Sequence, residues 1–303
     1  MQNNDDLTVK ASILTIFICI LFGANPVAIK FSLTGIGSFT AAGIRFAIAA
    51  VVIFTWARIK KIPLKLNQKQ LGQMLIVSTI FVVQLSCFYL GLGKTTASHG
   101  ALISNVLPFF VLILAHFFIP GDSISLKKGV GITLGFMGVL FLFFDKQDLT
   151  GDLKSGDLII LIAVFLWSSS AVFVKKIISE YNVVQITIYP MIFGVPFFFL
   201  GGFLWDDQMI RTINPTIIKA LLYQSIVTAS FGFIAWNSLL QKFGATALHS
   251  FIFIMPLTGV LFGVLLLGET ITPHLVISIA FIVTGVVVVN LRRKKQAVKK
   301  MAV

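Results

Sequence analysis

The sequence predicts an all-α integral membrane protein with ten transmembrane helices, arranged as two inverted five-helix repeats. Composition, a series of apolar runs and an internal repeat lead to this prediction. Of the 303 residues, 57% are hydrophobic and 12% charged, and the mean hydropathy is +0.98. A soluble domain could not cover that much apolar surface. The composition therefore indicates a chain that lies largely in lipid.

The apolar runs have the length that a membrane requires. A bilayer core about 30 Å thick is crossed by about 20 mostly apolar residues in a helix. The predicted spans are residues 9–31, 38–57, 69–92, 97–119, 126–144, 156–176, 184–205, 216–240, 245–267 and 272–291. The polar start MQNNDDLTVK lacks the basic region and cleavage site of a signal peptide, so we expect an uncleaved first span.

Lysine and arginine residues predict the orientation, because cytoplasmic loops hold an excess of them. With both termini inside, seventeen of the 24 lie in cytoplasmic segments. The sequence thus predicts a multi-pass protein of the lipid bilayer whose termini both lie in the cytoplasm. We interpret the tail LRRKKQAVKK as an anchor on an anionic leaflet rather than a nucleic-acid site.

Short similar motifs in the two halves of the sequence predict a duplication. FGANPVAIK at 22–30 resembles WSSSAVFVK at 167–175, and GDSIS at 121–125 resembles GETIT at 268–272. These offsets predict one repeat over 1–148 and a second over 149–303. Each repeat has five predicted spans, an odd number, so the second must enter the membrane from the opposite side. Inverted repeats are typical of secondary transporters, which hold substrate near the midplane between the halves.

Polar and amphipathic side chains within the apolar runs are the candidate substrate contacts. They can hydrogen-bond a zwitterionic or polyol substrate without the large cost of a buried charge. Hydrogen bonds between helices, and aromatic anchoring at the interface, are the alternative roles. The candidates are Asn25, Gln84, Tyr89, Ser104, Asn105, Trp167, Ser169, Gln224, Thr228, Trp236 and Asn237.

Three prolines and an arginine are candidates for structural or gating roles. Pro108 and Pro256 lie 148 residues apart in corresponding runs, and Pro26 lies in the first span. Proline removes a backbone donor, which is tolerated at membrane depth only where protein or a water-filled cavity surrounds the bend. These bends either shape a cavity or are packing kinks. Arg45, in the second span, either snorkels to the outer headgroups or pairs with an anionic substrate group.

The acidic residues bear on energy coupling. All eleven fall in predicted loops or at span ends, whereas proton relays commonly use an intramembrane Asp, Glu or His. We therefore expect facilitative or exchange-driven transport. A proton-coupled alternative would depend on His99, His116 or His249.

An intramembrane enzyme is the second functional class. The chain has no Gly-x-Ser-x-Gly, His-Glu-x-x-His or phosphate-loop motif, since GLGKTTAS at 91–98 lacks the upstream glycine spacing. Cys19 and Cys87 both lie in apolar runs and indicate no metal cluster. We expect neither enzymatic activity nor a cofactor.

Several motifs resemble the EamA family of the drug/metabolite transporter superfamily. They are GANPVAIK in span one, RFAIAA in span two, GALISNVLPFF in span four and PLTGVLFGVLLLGETIT in span nine. The resemblance implies a carrier of the cytoplasmic membrane, with a small-molecule substrate and the lipid bilayer as its partners. Such carriers are often exporters of amino acids or related metabolites, with a cavity lined mainly by spans 1, 3, 4, 6, 8 and 9. It favours a structural or gating role for Arg45. Import of a metabolite such as a nucleoside derivative is the alternative within transport.

Overall fold

The computed structural model describes residues 8–119, 124–144, 151–243, 248 and 251–290. Within these ranges the chain is helical apart from turns and one isolated β-bridge, so the predicted all-α class is confirmed there. The helices are α1 (Val9–Leu33), α2 (Ser38–Ile59), α3 (Gln68–Lys94), α4 (Ala97–Ser104), α5 (Leu107–Phe118), α6 (Leu126–Phe143), α7 (Asp152–Ile177), α8 (Val183–Trp205), α9 (Pro215–Leu222), a π-helix (Tyr223–Gly232), α10 (Phe233–Phe243), α11 (Ile254–Leu267) and α12 (Pro273–Asn290).

Nine segments of the described chain are long and apolar enough to cross a membrane. One is Ala97–Phe118, which comprises α4 and α5, and another is Pro215–Phe243, which comprises α9, the π-helix and α10. The apolar helix α11 is shorter, at 14 residues. The predicted ninth run, 245–267, is thus described as a continuous helix only over α11. The chain is a multi-pass membrane protein.

The span made of α4 and α5 is broken just before Pro108, which lies in the first turn of α5. Two polar side chains bond carbonyls of the turn that precedes the break. Ser104 Oγ donates to the Gly100 carbonyl at 2.6 Å, and Asn105 Nδ2 donates to the Ala101 carbonyl at 2.7 Å. Both side chains thus bond back to the backbone of α4 beside the break.

The other two predicted bends differ from one another. Pro256 is the third residue of α11, so it begins a helix as Pro108 does. Proline is tolerated there because the first turn of a helix needs no N–H donors. Pro26 instead lies inside the continuous helix α1, where its missing donor removes one helical hydrogen bond.

The helix starts of α3 and α8 lie side by side. Asn67 and Gln70 form a capping box at the start of α3, and Asn182 and Gln185 form one at the start of α8. Gln185 Nε2 also donates to the Lys65 carbonyl at 3.0 Å, which ties the second half of the chain to the first. We call this end of the bundle end B, and the opposite end, where α1 and α3 finish, end A.

Two glycines let helices from opposite halves approach closely near end A. A Cβ added at Gly91 of α3 would lie 2.9 Å from the Gly156 carbonyl oxygen of α7. A Cβ added at Gly156 would lie 2.8 Å from the Gly91 carbonyl oxygen. Small residues allow such backbone contact between membrane helices. The halves are therefore in direct backbone contact here.

The pair α6 and α12 packs by the same means and gives a test of stability. A Cβ at Gly285 would lie 2.7 Å from the Gly131 carbonyl oxygen and 2.9 Å from the Gly135 amide nitrogen. Because both atoms belong to backbone, Gly285→Ala must push the helices apart. We expect it to lower the free energy of unfolding by about 1–3 kcal/mol.

Thermal unfolding of the purified protein in detergent checks this expectation. Gly129→Ala on α6 is the matched control, because nothing lies within 4 Å of a Cβ added there. The control should leave the midpoint unchanged or raise it slightly, since alanine favours helix over glycine. Equal midpoints for the two variants would contradict the predicted contact.

Candidate functional site

A buried polar cluster lies where α1, α2, α3 and the π-helix meet. Its charged member is Arg45, which is 3% exposed and lies about 10 Å along α2 from Ser38. Arg45 Nη1 donates to Tyr89 Oη and Nη2 donates to Thr228 Oγ1, both at 3.3 Å. The guanidinium carbon lies 4.8 Å from the centre of the Phe46 ring, a cation–π contact. α2 thus places a cation between the two halves of the chain.

The hydroxyl groups that accept from the guanidinium are themselves held by amides. Tyr89 Oη donates to Gln224 Oε1 at 2.8 Å, and Gln224 Nε2 donates to the Ala28 carbonyl at 3.0 Å. Thr228 Oγ1 lies 2.7 Å from the backbone carbonyl of Gln224 and 3.1 Å from Asn25 Oδ1. The structure therefore joins four of the predicted substrate contacts, from three spans, in one hydrogen-bonded network.

The π-helix Tyr223–Gly232 supplies two members of this network. Its wider turn is visible at Ser230, whose Oγ donates to the carbonyl of Ser225, five residues earlier, at 2.7 Å. Tyr223 Oη donates to the Leu21 carbonyl of α1 at 2.7 Å and fixes the π-helix against that span. Local π-helical geometry is often found at functional sites. It was not predicted from the sequence.

Asn25 is the most accessible member of the cluster. It is partly exposed, whereas Tyr89, Gln224 and Thr228 are each 0% exposed. One turn of α1 closer to end B, the ring of Phe22 lies 6.1 Å from the ring of Trp236. The accessible edge of the cluster is therefore at Asn25.

Glu269 joins the end of α11 to the start of α4 at end A. Its Oε1 accepts from the Ala97 amide at 2.6 Å, and its Oε2 accepts from the Ser98 amide at 2.9 Å and from Ser98 Oγ at 2.5 Å. Gly268, with φ of 68°, turns the chain so that the carboxylate faces this helix start. A carboxylate is favourable there because it meets unpaired N–H groups and the positive end of the helix dipole.

Asp157 of α7 forms a second connection at end A. Its Oδ2 lies 2.8 Å from His99 Nδ1, and its Oδ1 accepts from Thr95 Oγ1 at 2.6 Å. The aspartate is 1% exposed although it lies only in the second turn of α7. His99 and Glu269 both line a cavity of about 250 Å³ between these connections.

Asp206 forms a third connection between the two halves at end A. It accepts from the amides of Phe39 and Thr40 at the start of α2, at 3.2 and 2.9 Å. The neighbouring backbone of Arg211 donates to the Gly35 carbonyl at 2.8 Å. Three carboxylates from the second half thus bind the first half at end A, and two of them bind helix starts.

The comparison with protein families decides what kind of protein this bundle is. The model of the EamA-like transporter family matches residues 9–144 and 154–291. The chain belongs to this family. The resemblance to the EamA family of the drug/metabolite transporter superfamily is therefore confirmed.

Relatives that match this chain over nearly their full length carry the names of transporters or efflux pumps. A "Probable amino-acid metabolite efflux pump" of Escherichia coli (strain K12) is 29% identical over 91% of this chain and 93% of its own. The "Uncharacterized transporter YoaV" of Bacillus subtilis (strain 168) is 22% identical over 92% of this chain and 96% of its own. A crystal structure at 15% identity matches with a TM-score of 0.68 over 93% of this chain and 96% of its own, which supports the fold.

Four other predicted substrate contacts of this EamA chain make hydrogen bonds outside the central network. Ser104, Asn105 and Ser169 each donate to a carbonyl four residues earlier on their own helix, at 2.6, 2.7 and 3.0 Å. Asn237 Nδ2 donates to Thr187 Oγ1 at 3.1 Å. A role for these groups in substrate binding remains a prediction.

The remaining candidates differ in exposure. Gln84 is buried, and its Oε1 has no hydrogen-bond partner within the described residues. Trp167 is 40% exposed. His116 is exposed in the last turn of α5, and His249 lies outside the described residues.

Sequence reasoning did not assign the three carboxylates at end A to a site. It placed them in loops or at span ends, and their partners lie in the other half of the chain. The GETIT motif, which contains Glu269 and resembles GDSIS in the first half, was the available signal, because it places an acid beside the end of the ninth predicted span.

Proposed function

We propose that the chain is a secondary carrier that exports or exchanges small polar metabolites, foremost amino acids and their derivatives, by alternating access. The observation that carries the proposal is the buried polar network of Asn25, Arg45, Tyr89, Gln224 and Thr228, which bridges both halves inside the helix bundle. Buried polar groups at membrane depth are costly and typically mark substrate pathways. The name of the E. coli relative supports the substrate class.

Alternating access assigns a role to end A. The carboxylate connections hold that end together, and opening it requires their hydrogen bonds to break. With both termini in the cytoplasm, end A faces outward and end B faces the cytoplasm. Residues 1–148 and 149–303 then act as the two inverted repeats that move relative to one another.

Coupling to an ion gradient is not part of the proposal. Asp157, Asp206 and Glu269 are all engaged at end A, and no carboxylate of the described residues bonds the central network. Transport is therefore proposed to follow the gradient of the substrate, or to exchange one substrate for another.

Removing one hydroxyl from the network tests the transport proposal. In Thr228→Val, Arg45 Nη2 and Asn25 lose a partner while side-chain volume is kept. A buried group without its partner costs about 1–3 kcal/mol, so we expect amino-acid export to fall about tenfold. The measurement is extracellular metabolite profiling of cells that express equal amounts of each protein.

Thr15→Val is the matched control, because Thr15 is equally buried and its hydroxyl donates only to the Ala11 carbonyl of its own helix. It should export normally. Equal export by both variants would show that the network does not contact substrate. Accumulation inside the cells, rather than outside, would assign the importer alternative.

A further inference from the structure

The charge of Arg45 is not neutralised by the part of the chain that the structure describes. No carboxylate there lies within ion-pair distance of its guanidinium. Each acidic residue instead has another contact, with a helix start, a histidine, a lysine or an arginine. These residues are Asp152, Asp157, Glu180, Asp206, Asp207 and Glu269.

The guanidinium of Arg45 also has N–H groups beyond those that bond Tyr89 and Thr228. It carries five N–H groups, of which one on Nη1 and one on Nη2 bond Tyr89 and Thr228. Its Nε is buried and has no hydrogen-bond partner within the described chain. The N–H of Nε and the nearer N–H of an Nη form the parallel pair that a carboxylate accepts in bidentate fashion.

The surroundings favour an anion over other ligands. Tyr89 already donates its hydrogen to Gln224, so its oxygen faces the guanidinium as an acceptor and brings no negative charge. A cation in a site of low dielectric is strongly stabilised by an opposite charge, and strongly destabilised without one. Geometry and charge therefore point to an anionic ligand, and in the amino acids proposed above as substrates the anionic group is the carboxylate.

We infer that Arg45 is the carboxylate receptor of the substrate site, and that the carrier selects substrates with a free carboxylate. The inference rests on the transport function proposed above and deepens it. Asn25, partly exposed beside the network, adds an amide that can bond the same group. Amino acids and other carboxylates should bind, whereas their carboxamides, which lack the charge, should not.

Efflux from proteoliposomes tests this selectivity. Liposomes are loaded with equimolar L-alanine, L-leucine and L-phenylalanine together with their three carboxamides, and efflux is followed by mass spectrometry. The wild-type protein should release the acids at least about 30-fold faster than the amides, because a buried charge left without its partner is costly. Arg45→Gln should bring this ratio close to one, and Arg45→Lys should keep part of it.

Arg58→Gln is the matched control, since Arg58 is an exposed arginine of the same helix, and it should keep the wild-type ratio. Equal release of acids and amides by the wild-type protein would overturn the inference while leaving transport intact. An unchanged ratio in Arg45→Gln would overturn it as well.

A binding measurement separates this inference from the transport proposal. Sodium acetate should raise the unfolding midpoint of the wild-type protein above that seen with acetamide or sodium chloride, and Arg45→Gln should lose this protection. If no compound leaves the liposomes faster than it leaves loaded vesicles without protein, the proposed amino-acid transport is wrong. Protection by acetate would still support the carboxylate site in that case. Equal protection by acetate, chloride and acetamide would overturn it, even if Arg45→Gln did not fold.

Discussion

Replacing Glu269 with glutamine should open end A and slow transport by about tenfold. The carboxylate makes three hydrogen bonds to the start of α4, through Ala97 and Ser98. The amide of glutamine keeps one acceptor oxygen, loses the charge that favours the helix start, and places an N–H₂ where two donors point. Loss of such a cap costs about 0.5–2 kcal/mol, and 1.4 kcal/mol changes a conformational equilibrium tenfold.

Cysteine labelling measures the opening directly. Ala101, 3% exposed, lies one turn further into the bundle than Ser98 and contacts Gly259 of α11. In a background without the native cysteines, Ala101→Cys should react about tenfold faster with a membrane-impermeant reagent when Glu269→Gln is also present.

Asp207→Asn is the control, because the Asp207 side chain is 94% exposed and its described contact is a 3.9 Å approach to Arg211. It should change neither labelling nor transport. Unchanged labelling in Glu269→Gln would mean that the carboxylate does not hold end A closed.

The helix starts are the features that the sequence predicted best. The predicted runs 38–57 and 184–205 match α2 and α8 to within two residues, because polar residues, glycine or a capping amide precede the apolar residues there. The start of α7 was placed four residues late, at 156 rather than Asp152. Asp152 and Lys154 resemble loop residues by composition, although a helix can continue through them above the membrane core.

The sequence predicted residues that belong to the central network, but it did not predict which of them bond one another. Polar side chains are scarce in the apolar runs, so Asn25, Gln224 and Thr228 could be selected by type alone. Ser104 and Ser169 have the same chemistry, yet each bonds a carbonyl of its own helix. Whether a serine bonds its own backbone or another span depends on the direction in which the helix faces, which the residue type does not specify.

Two features depend entirely on contacts between distant parts of the chain. The residues YQSIVTASFG fit an α-helix as well as a π-helix, and the wider form is held by contacts such as Tyr223 with α1. The partners of Asp157 and Glu269 lie 58 to 172 residues away along the chain. Local propensity cannot predict such pairs.

Removing Asp157 should destabilise the protein more than any other change at end A. Asp157→Leu leaves His99 and Thr95 buried without the oxygens that they contact at 2.8 and 2.6 Å. Breaking one side of a buried pair costs about 3–5 kcal/mol. In detergent, the unfolding midpoint should fall by about 6 °C or more.

The double variant separates the pair itself from the packing around it. Because the double variant removes the buried imidazole together with its carboxylate, His99→Leu with Asp157→Leu should recover at least about 1 kcal/mol relative to the sum of the single variants. Asp157→Asn, which keeps the shape and acceptor oxygen, should fall between wild type and Asp157→Leu. Asp207→Leu is the control, because the Asp207 side chain is 94% exposed and its described contact is a 3.9 Å approach to Arg211, and such pairs contribute little. Additive losses in the double variant would show that His99 and Asp157 stabilise end A independently of one another, and would contradict the predicted coupling between them.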